Sequence, residues 1–339
     1  MTGGQGQGME RALGTLMGVA LGDALGMPSQ TLSRARIAEA YGRIADLVDP
    51  VSDHPVSHGL RAGMVTDDTE QTLLLADLMI RSPERFDDRA WAEALLAWER
   101  DVRARGLLDL LGPSSKRALD ALLAGVPASD TGREGTTNGA AMRIAPVGIA
   151  TPPDDVAVLV ARVAEACRVT HNTREAISAA AAVAMTISLG ISGAGFEDAV
   201  KQAVEAARLG ATFGAPVGET DMGGLILTAM HVAGRGSEEE LVARIGTSVA
   251  SREAVPMAFA VVLLAGGDPW RAGLIAANIG DDTDTIGAIA CAMAGACAGL
   301  SAFPQDKTET IIAANGLNLG PVAEGLLAIR AARLSKVPS

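Results

Sequence analysis

The chain has 339 residues, 48% of them hydrophobic but only 3% aromatic, with 28 basic against 40 acidic side chains for a net charge of −12. That length supports a sizeable core without disulfide staples, and that charge argues against nucleic acid as the main partner. Cys167, Cys291 and Cys297 are odd in number and form no CxxC, so they read as small core residues of a reduced, cytoplasmic protein.

In chain order, the start MTGGQGQGM is rich in Gly and Gln, and residues 1–9 are expected to be disordered or an expression remnant. No secretory signal is visible, and 10–335 are expected to form one domain. GVALGDALGMPSQ, residues 18–30, has two readings. It is either a helix with close-packing glycines that ends at Pro28, or a segment that brings Asp23 and Gln30 to a site. Helical periodicity then recurs over 69–81, 88–105, 115–124, 154–168, 174–190, 196–208, 221–233, 238–250, 254–265, 270–277 and 286–300. Strand signals are sparse. The expected fold is all-α, a compact single-domain many-helix bundle. The longest apolar runs, 176–191 and 286–300, fall short of the roughly 20 residues a membrane span needs, so no membrane partner is expected. No heptad or exposed apolar seam is evident, so a monomer is expected.

The chemistry concentrates in two acidic stretches. In VTDDTEQTLLL, residues 65–75, Thr66 or Asp67 would serve as an ordinary N-cap, with Glu70 in the first turn. That reading leaves Asp68 unexplained, because adjacent like charges repel. NIGDDTDTIGA, residues 278–288, repeats the pattern: Asp281, Asp282 and Asp284 are interleaved with Thr283 and Thr285 ahead of a small-residue apolar helix. Carboxylates and hydroxyls gathered in this way suit hard divalent cations, which also remove the repulsion.

Two further stretches read either way. GTTNGAAMRIAPVG, residues 135–148, is a turn and cap or an anion-cradling loop. It is not a P-loop, since the Gly-Lys-Ser/Thr ending is absent. His171 in VTHNTREA is more often a satisfied structural histidine than a catalyst, and it shares no zinc-ligand spacing with His54, His58 or His231. The DDxxD motif of isoprenoid synthases needs Asp where Gln71 and Thr285 stand. A haloacid-type phosphatase motif starting at Asp282 fails at Ile286.

Taken in order, GDALGMP, TDDT at 66–69, TNGAAMR at 137–143, THN at 170–172 and GDDTDTIGA at 280–288 resemble the ADP-ribosylglycohydrolase family, the dinitrogenase-reductase-activating type, over about 10–300. The resemblance implies an all-α fold with two Mg²⁺ or Mn²⁺ ions. It places their ligands at Thr66, Asp67, Asp68, Asp282, Asp284 and Thr285. It also implies substrate contacts at Gln30, Asn138, Gly139, Ala140, Ala141, Met142 and His171, and makes Asp68 and Asp282 the candidate catalytic carboxylates. The implied reaction is hydrolysis at the anomeric carbon of a small-molecule or protein-linked ADP-ribosyl substrate, through an oxocarbenium-like transition state. Gln30 stands where many members of the family carry glutamate, and an amide cannot act as a general base. Asp281 stands where Gly or Asn is frequent. The stretches 111–122 and 246–260 look like members that need not act on modified proteins. An N-ribosyl hydrolase for nucleoside-like compounds, or a non-catalytic ADP-ribose binder, is the alternative.

Overall fold

The computed structural model describes residues 3–107, 112–218 and 220–335. The described residues form helices and connecting loops, with no β-strand. The first three helices are α1 (Gly3–Gly26), α2 (Arg34–Tyr41) and α3 (Asp67–Arg81). α4 (Asp88–Ala104) and α5 (Pro113–Leu123) follow, then the short α6 (Gly139–Met142) and α7 (Ala145–Ala150). Next come α8 (Val156–His171), α9 (Arg174–Ile191), α10 (Phe196–Gly210), α11 (Met222–Ala233) and α12 (Glu238–Ile245). The chain ends with α13 (Ser251–Leu264), α14 (Pro269–Ala276), α15 (Thr283–Ala298), α16 (Gln305–Asn315) and α17 (Leu319–Leu334).

The amphipathic helices form where their periodicity predicts, with caps of the expected kind. Asp87, Asp155, Thr173, Ser237 and Asp268 each accept a backbone N–H in the first turn of α4, α8, α9, α12 and α14. Two boundaries differ from expectation by more than three residues. α12 stops at Ile245 rather than 250, because Gly246 adopts φ +84° and ends the helix. α1 runs back to Gly3, through residues expected to be disordered; Met1 and Thr2 lie outside the described residues. Once the packed part of a helix exists, extending it requires no new nucleus.

α1 and α15 form the centre of the molecule, and their contact is unusually close. Gly14, Gly18, Gly22 and Gly26 recur every four residues on one face of α1. A Cβ at Gly18 would lie 2.1 Å from the Cys291 carbonyl oxygen, one at Gly22 would lie 2.1 Å from that of Gly287, and one at Gly26 would lie 2.3 Å from Asp284 Cα. The two backbones therefore touch, closer than side-chain-separated helices allow. α9 packs against both α15 and α1 and is buried along almost its whole length, which explains its uninterrupted apolar and small residues. α17 is tied to the centre by Arg330, whose buried guanidinium donates to the carbonyls of Ile149, Thr151 and Ser188.

Candidate functional site

The N-terminus of α3 and the N-terminus of α15 meet beside the C-terminal end of α1. Asp23, fully buried on α1, organises this junction. Its carboxylate accepts the Thr66 N–H at 2.9 Å and the Thr66 hydroxyl at 2.7 Å, and the Thr69 N–H at 3.1 Å and hydroxyl at 2.6 Å. Thr69 is the third residue of α3, so Asp23 fills from a distant helix the role that a local N-cap side chain normally takes. Thr66, the N-cap residue, makes no side-chain cap bond. The sequence reading of Thr66 or Asp67 as the cap is corrected here: an Asp forty-odd residues upstream does the work, and both Asp67 and Asp68 stay free for other use.

At the second cluster, Thr283 is fixed through its hydroxyl, which donates to the Gly26 carbonyl at 2.9 Å. Thr31 and Asp281, the non-glycine residues at left-handed φ (63° and 62°), pair back to back. Thr31 N–H donates to the Asp281 carbonyl at 2.6 Å, and Asp281 N–H donates to that of Leu32 at 2.8 Å. A β-branched residue at positive φ is strained, and the paired residues are chain neighbours of Gln30 and Asp282, which both line the cavity. The Asp281 side chain is exposed and outside the cavity, so it contributes through this backbone pairing and through its charge, which helps to raise the pKa of Asp282.

Between these elements lies a cavity of about 210 Å³, lined among others by Gln30, Asp67, Asn138, Gly139, Met142, Asp282, Asp284 and Thr285. Thr31, Thr137, Ser115, Val56, Pro113 and Val249 complete its wall and mouth. The loop 136–138 is held by backbone bonds to 249–251: Asn138 N–H donates to the Val249 carbonyl at 2.9 Å, and Ser251 N–H to that of Thr136 at 3.1 Å. Asn138 then donates from its side-chain amide to Asp282. Gln30 donates to Ser57 Oγ at 3.0 Å, and Ser57 donates to the Met27 carbonyl at 2.7 Å.

Several predicted residues stand elsewhere. Thr66 and Asp68 lie buried outside the cavity lining, and Ala140 and Ala141 are buried in α6 outside it too. His171 is also outside the lining. It sits behind the loop, with Nε2 2.9 Å from Thr137 Oγ1, and its ring fills the space that a Cβ on Gly139 would need. Burial, reinforced by Arg143 and Arg117, holds its pKa well below the ordinary value, so it is neutral. The sequence missed Arg143, Gln71 and Thr170 as site-supporting groups. The only signal was that each lies within or next to a motif.

The electrostatics are those of a crowded acidic centre. Burial raises Asp67, Asp68 and Asp284 well above the usual carboxylate range, and their mutual repulsion and that of Asp23 and Asp282 add to it. Burial raises Asp282 to about 7 against the lowering effect of Asn138, and raises Asp23 to about 6 against its donors. Asp68 Oδ1 and Asp284 Oδ1 are buried without any hydrogen-bond partner. No three His, Cys, Asp or Glu side chains among the described residues form a ready-made ligand shell. The donor set nevertheless fits a hard cation: two orphaned carboxylate oxygens, further carboxylates, and the Thr285 hydroxyl 3.4 Å from Asp68 Oδ2. Thr66 Oγ1, which donates its proton to Asp23, keeps lone pairs available.

The comparisons with known proteins identify the family. Residues 6–333 match the family model described as ADP-ribosylglycohydrolase. The chain is 33% identical to an uncharacterized protein of Escherichia coli K12, YegU, over 96% of this chain and 98% of that one. It is 29% identical to the ADP-ribosylarginine hydrolase Tri1 of Pseudomonas putida, over 90% of this chain and 75% of that protein. Among solved structures it resembles an ADP-ribosylglycohydrolase-related protein complex, with a TM-score of 0.69 and 25% identity, covering 96% of this chain and 99% of that one. The acid-lined cavity between two helix N-termini thus belongs to a glycosyl hydrolase, and the chain is a member of the ADP-ribosylglycohydrolase family.

Proposed function

We propose that the chain hydrolyses the anomeric ribosyl bond of an ADP-ribosylated substrate, with two divalent cations, Mg²⁺ or Mn²⁺, held by Thr66, Asp67, Asp68, Asp282, Asp284 and Thr285. The observation that carries this reading is the pair of buried, unpartnered oxygens Asp68 Oδ1 and Asp284 Oδ1 beside a cavity lined by Asp67, Asp282 and Asp284. Bound divalent cations would neutralise this charge and lower the pKa of a water molecule.

The chain's own residues supply the rest. The reaction adds a water oxygen to the anomeric carbon, breaks the bond to the leaving atom and delivers a proton to that atom. The developing positive charge on the ribose is favoured by the surrounding carboxylates. Asp282, in the cavity wall, would stay ionised against a bound cation, and its carboxylate would then favour the developing charge on the ribose. Asp68, the other carboxylate expected to be catalytic, lies outside the lining, and its place favours holding a cation. Asn138 orients Asp282. Gln30, at the wall, presents an amide that can orient water or a ribose hydroxyl but cannot take a proton. The named activity of the Pseudomonas relative makes ADP-ribosyl-arginine the first substrate to try.

One feature favours a second reading, an N-ribosyl hydrolase for a small nucleoside. Among the described residues, no Lys or Arg lines the cavity to meet a diphosphate. Titration of ADP-ribose by calorimetry, with Mg²⁺ and again with EDTA, separates the two. Binding that requires the cation supports the ADP-ribosyl reading. Absence of binding in Mg²⁺ and in Mn²⁺, with turnover of a free nucleoside, replaces it with the second.

A further inference from the structure

Arg143 lies behind the cavity, almost wholly buried and outside the lining. Its two side-chain hydrogen-bond partners are neutral: Nη1 donates to Gln71 Oε1 and Nη2 donates to Thr170 Oγ1. Its guanidinium also sits 5.3 Å from the ring centroid of Trp91. A buried cation with neutral partners is expensive to keep, and burial lowers its pKa to about 10. Each neutral partner passes the contact on toward the cavity.

On one side, Gln71 accepts from Arg143 through Oε1 and donates through Nε2 to Asp67 Oδ2 at 3.3 Å. On the other, Thr170 Oγ1 lies 2.8 Å from His171 Nδ1, and His171 Nε2 lies 2.9 Å from Thr137 Oγ1. Arg143, which only donates, takes one lone pair of Thr170 Oγ1 and leaves the single Thr170 proton available to His171 Nδ1. A neutral His171 that accepts at Nδ1 carries its proton on Nε2 and donates it to Thr137. The Thr137 hydroxyl proton is then free to point elsewhere, and Thr137, like Asp67, lines the cavity.

We infer that Arg143 is a positioning residue for hydrolysis, fixing Asp67 through Gln71 and the donor direction of Thr137 through Thr170 and His171. The Asp67 arm rests on the cation reading proposed above; the Thr137 arm does not.

Each arm can be cut alone. Gln71→Leu removes the link to Asp67, and Thr170→Val removes the link to His171. The probes are Mn²⁺ affinity by calorimetry and the ¹⁵N shifts of His171, identified by loss of its signals in His171→Gln. Gln71→Leu is expected to weaken Mn²⁺ binding about 10-fold, as loss of an outer partner of a metal ligand does, with the His171 signature kept. Thr170→Val is expected to keep Mn²⁺ affinity and to mix the Nδ1–H form into a wild-type signature of Nε2–H. Arg143→Lys, whose single ammonium cannot hold both partners, is expected to change both readouts. Wild-type Mn²⁺ affinity in Gln71→Leu together with an unchanged His171 signature in Thr170→Val would overturn the inference, even if melting temperatures fell, because that pattern describes a residue that only holds the core. Wild-type protein that bound no Mn²⁺ would defeat the cation reading instead, and the His171 signature would then decide the inference alone.

Discussion

A buried polar atom left without a donor costs about 1–3 kcal/mol, more when charged, and Asp284 Oδ1 is in that position beside Asp282 and Asp67. Asp284→Ala should therefore abolish Mn²⁺ binding in calorimetry. It should leave the helical circular dichroism intact and raise the melting temperature of the metal-free protein, since a repelled charge is gone. Unchanged Mn²⁺ affinity would remove Asp284 from the site. Gln30→Glu should raise kcat for ADP-ribosyl-arginine severalfold if the missing acid limits the reaction. Ser57 already spends its proton on the Met27 carbonyl and can only accept from residue 30, so the variant should also melt lower. A kcat equal to wild type would show that an acid at position 30 does not limit the reaction. At this scale the acidic motifs were legible in the sequence, because adjacent like charges demand an explanation. The role of Asp23 as a cap was not, because a capping partner 46 residues away leaves no local pattern.

At the scale of the elements, the α1–α15 contact decides the geometry. Gly22→Ala would drive a methyl group to 2.1 Å from the Gly287 carbonyl oxygen, and neither backbone has a side chain to move aside. Overpacking of this kind costs about 1–3 kcal/mol or more, so the chemical-denaturation midpoint should fall markedly. A midpoint equal to wild type would show that the helices can separate freely. The amphipathic helices α4, α10 and α12 announced themselves through one-sided periodicity. α1 showed only its last turns, as the reading of 18–30 as a helix with close-packing glycines: it is buried on nearly all sides from Leu13 onward and studded with glycine, so it has neither a polar face nor a helix-favouring composition. α6 and α7 are too short for any period to register.

For the whole molecule, the site's charge couples to stability. Asp23 and Asp282 hold protons up to about pH 6 and 7 in the folded chain, against 3.8 ordinarily, so the folded state binds more protons in that interval. Stability of the metal-free protein should then fall as pH rises. His171 and His54, whose pKa values are lowered, act in the opposite sense below 6.5 and are silent above it. The cleanest window therefore runs from about pH 6.5 to 8. In EDTA the melting temperature should drop across that window, and saturating Mn²⁺ should flatten the drop by stabilising the ionised form. A flat profile in EDTA would mean that the acids are already ionised at pH 6.5.

The glycine face of α1 also separates two jobs that many catalysts entangle. Main chain pressed on main chain sets the spacing of the acids, while Val56 and Val249 on loops and Pro113 at the start of α5 take no part in that contact. Exchanging those mouth residues would change which molecule is admitted without moving the groups that would break its bond. The scaffold is therefore suited to retargeting, by natural drift or by design, with its hydrolytic centre left as it stands.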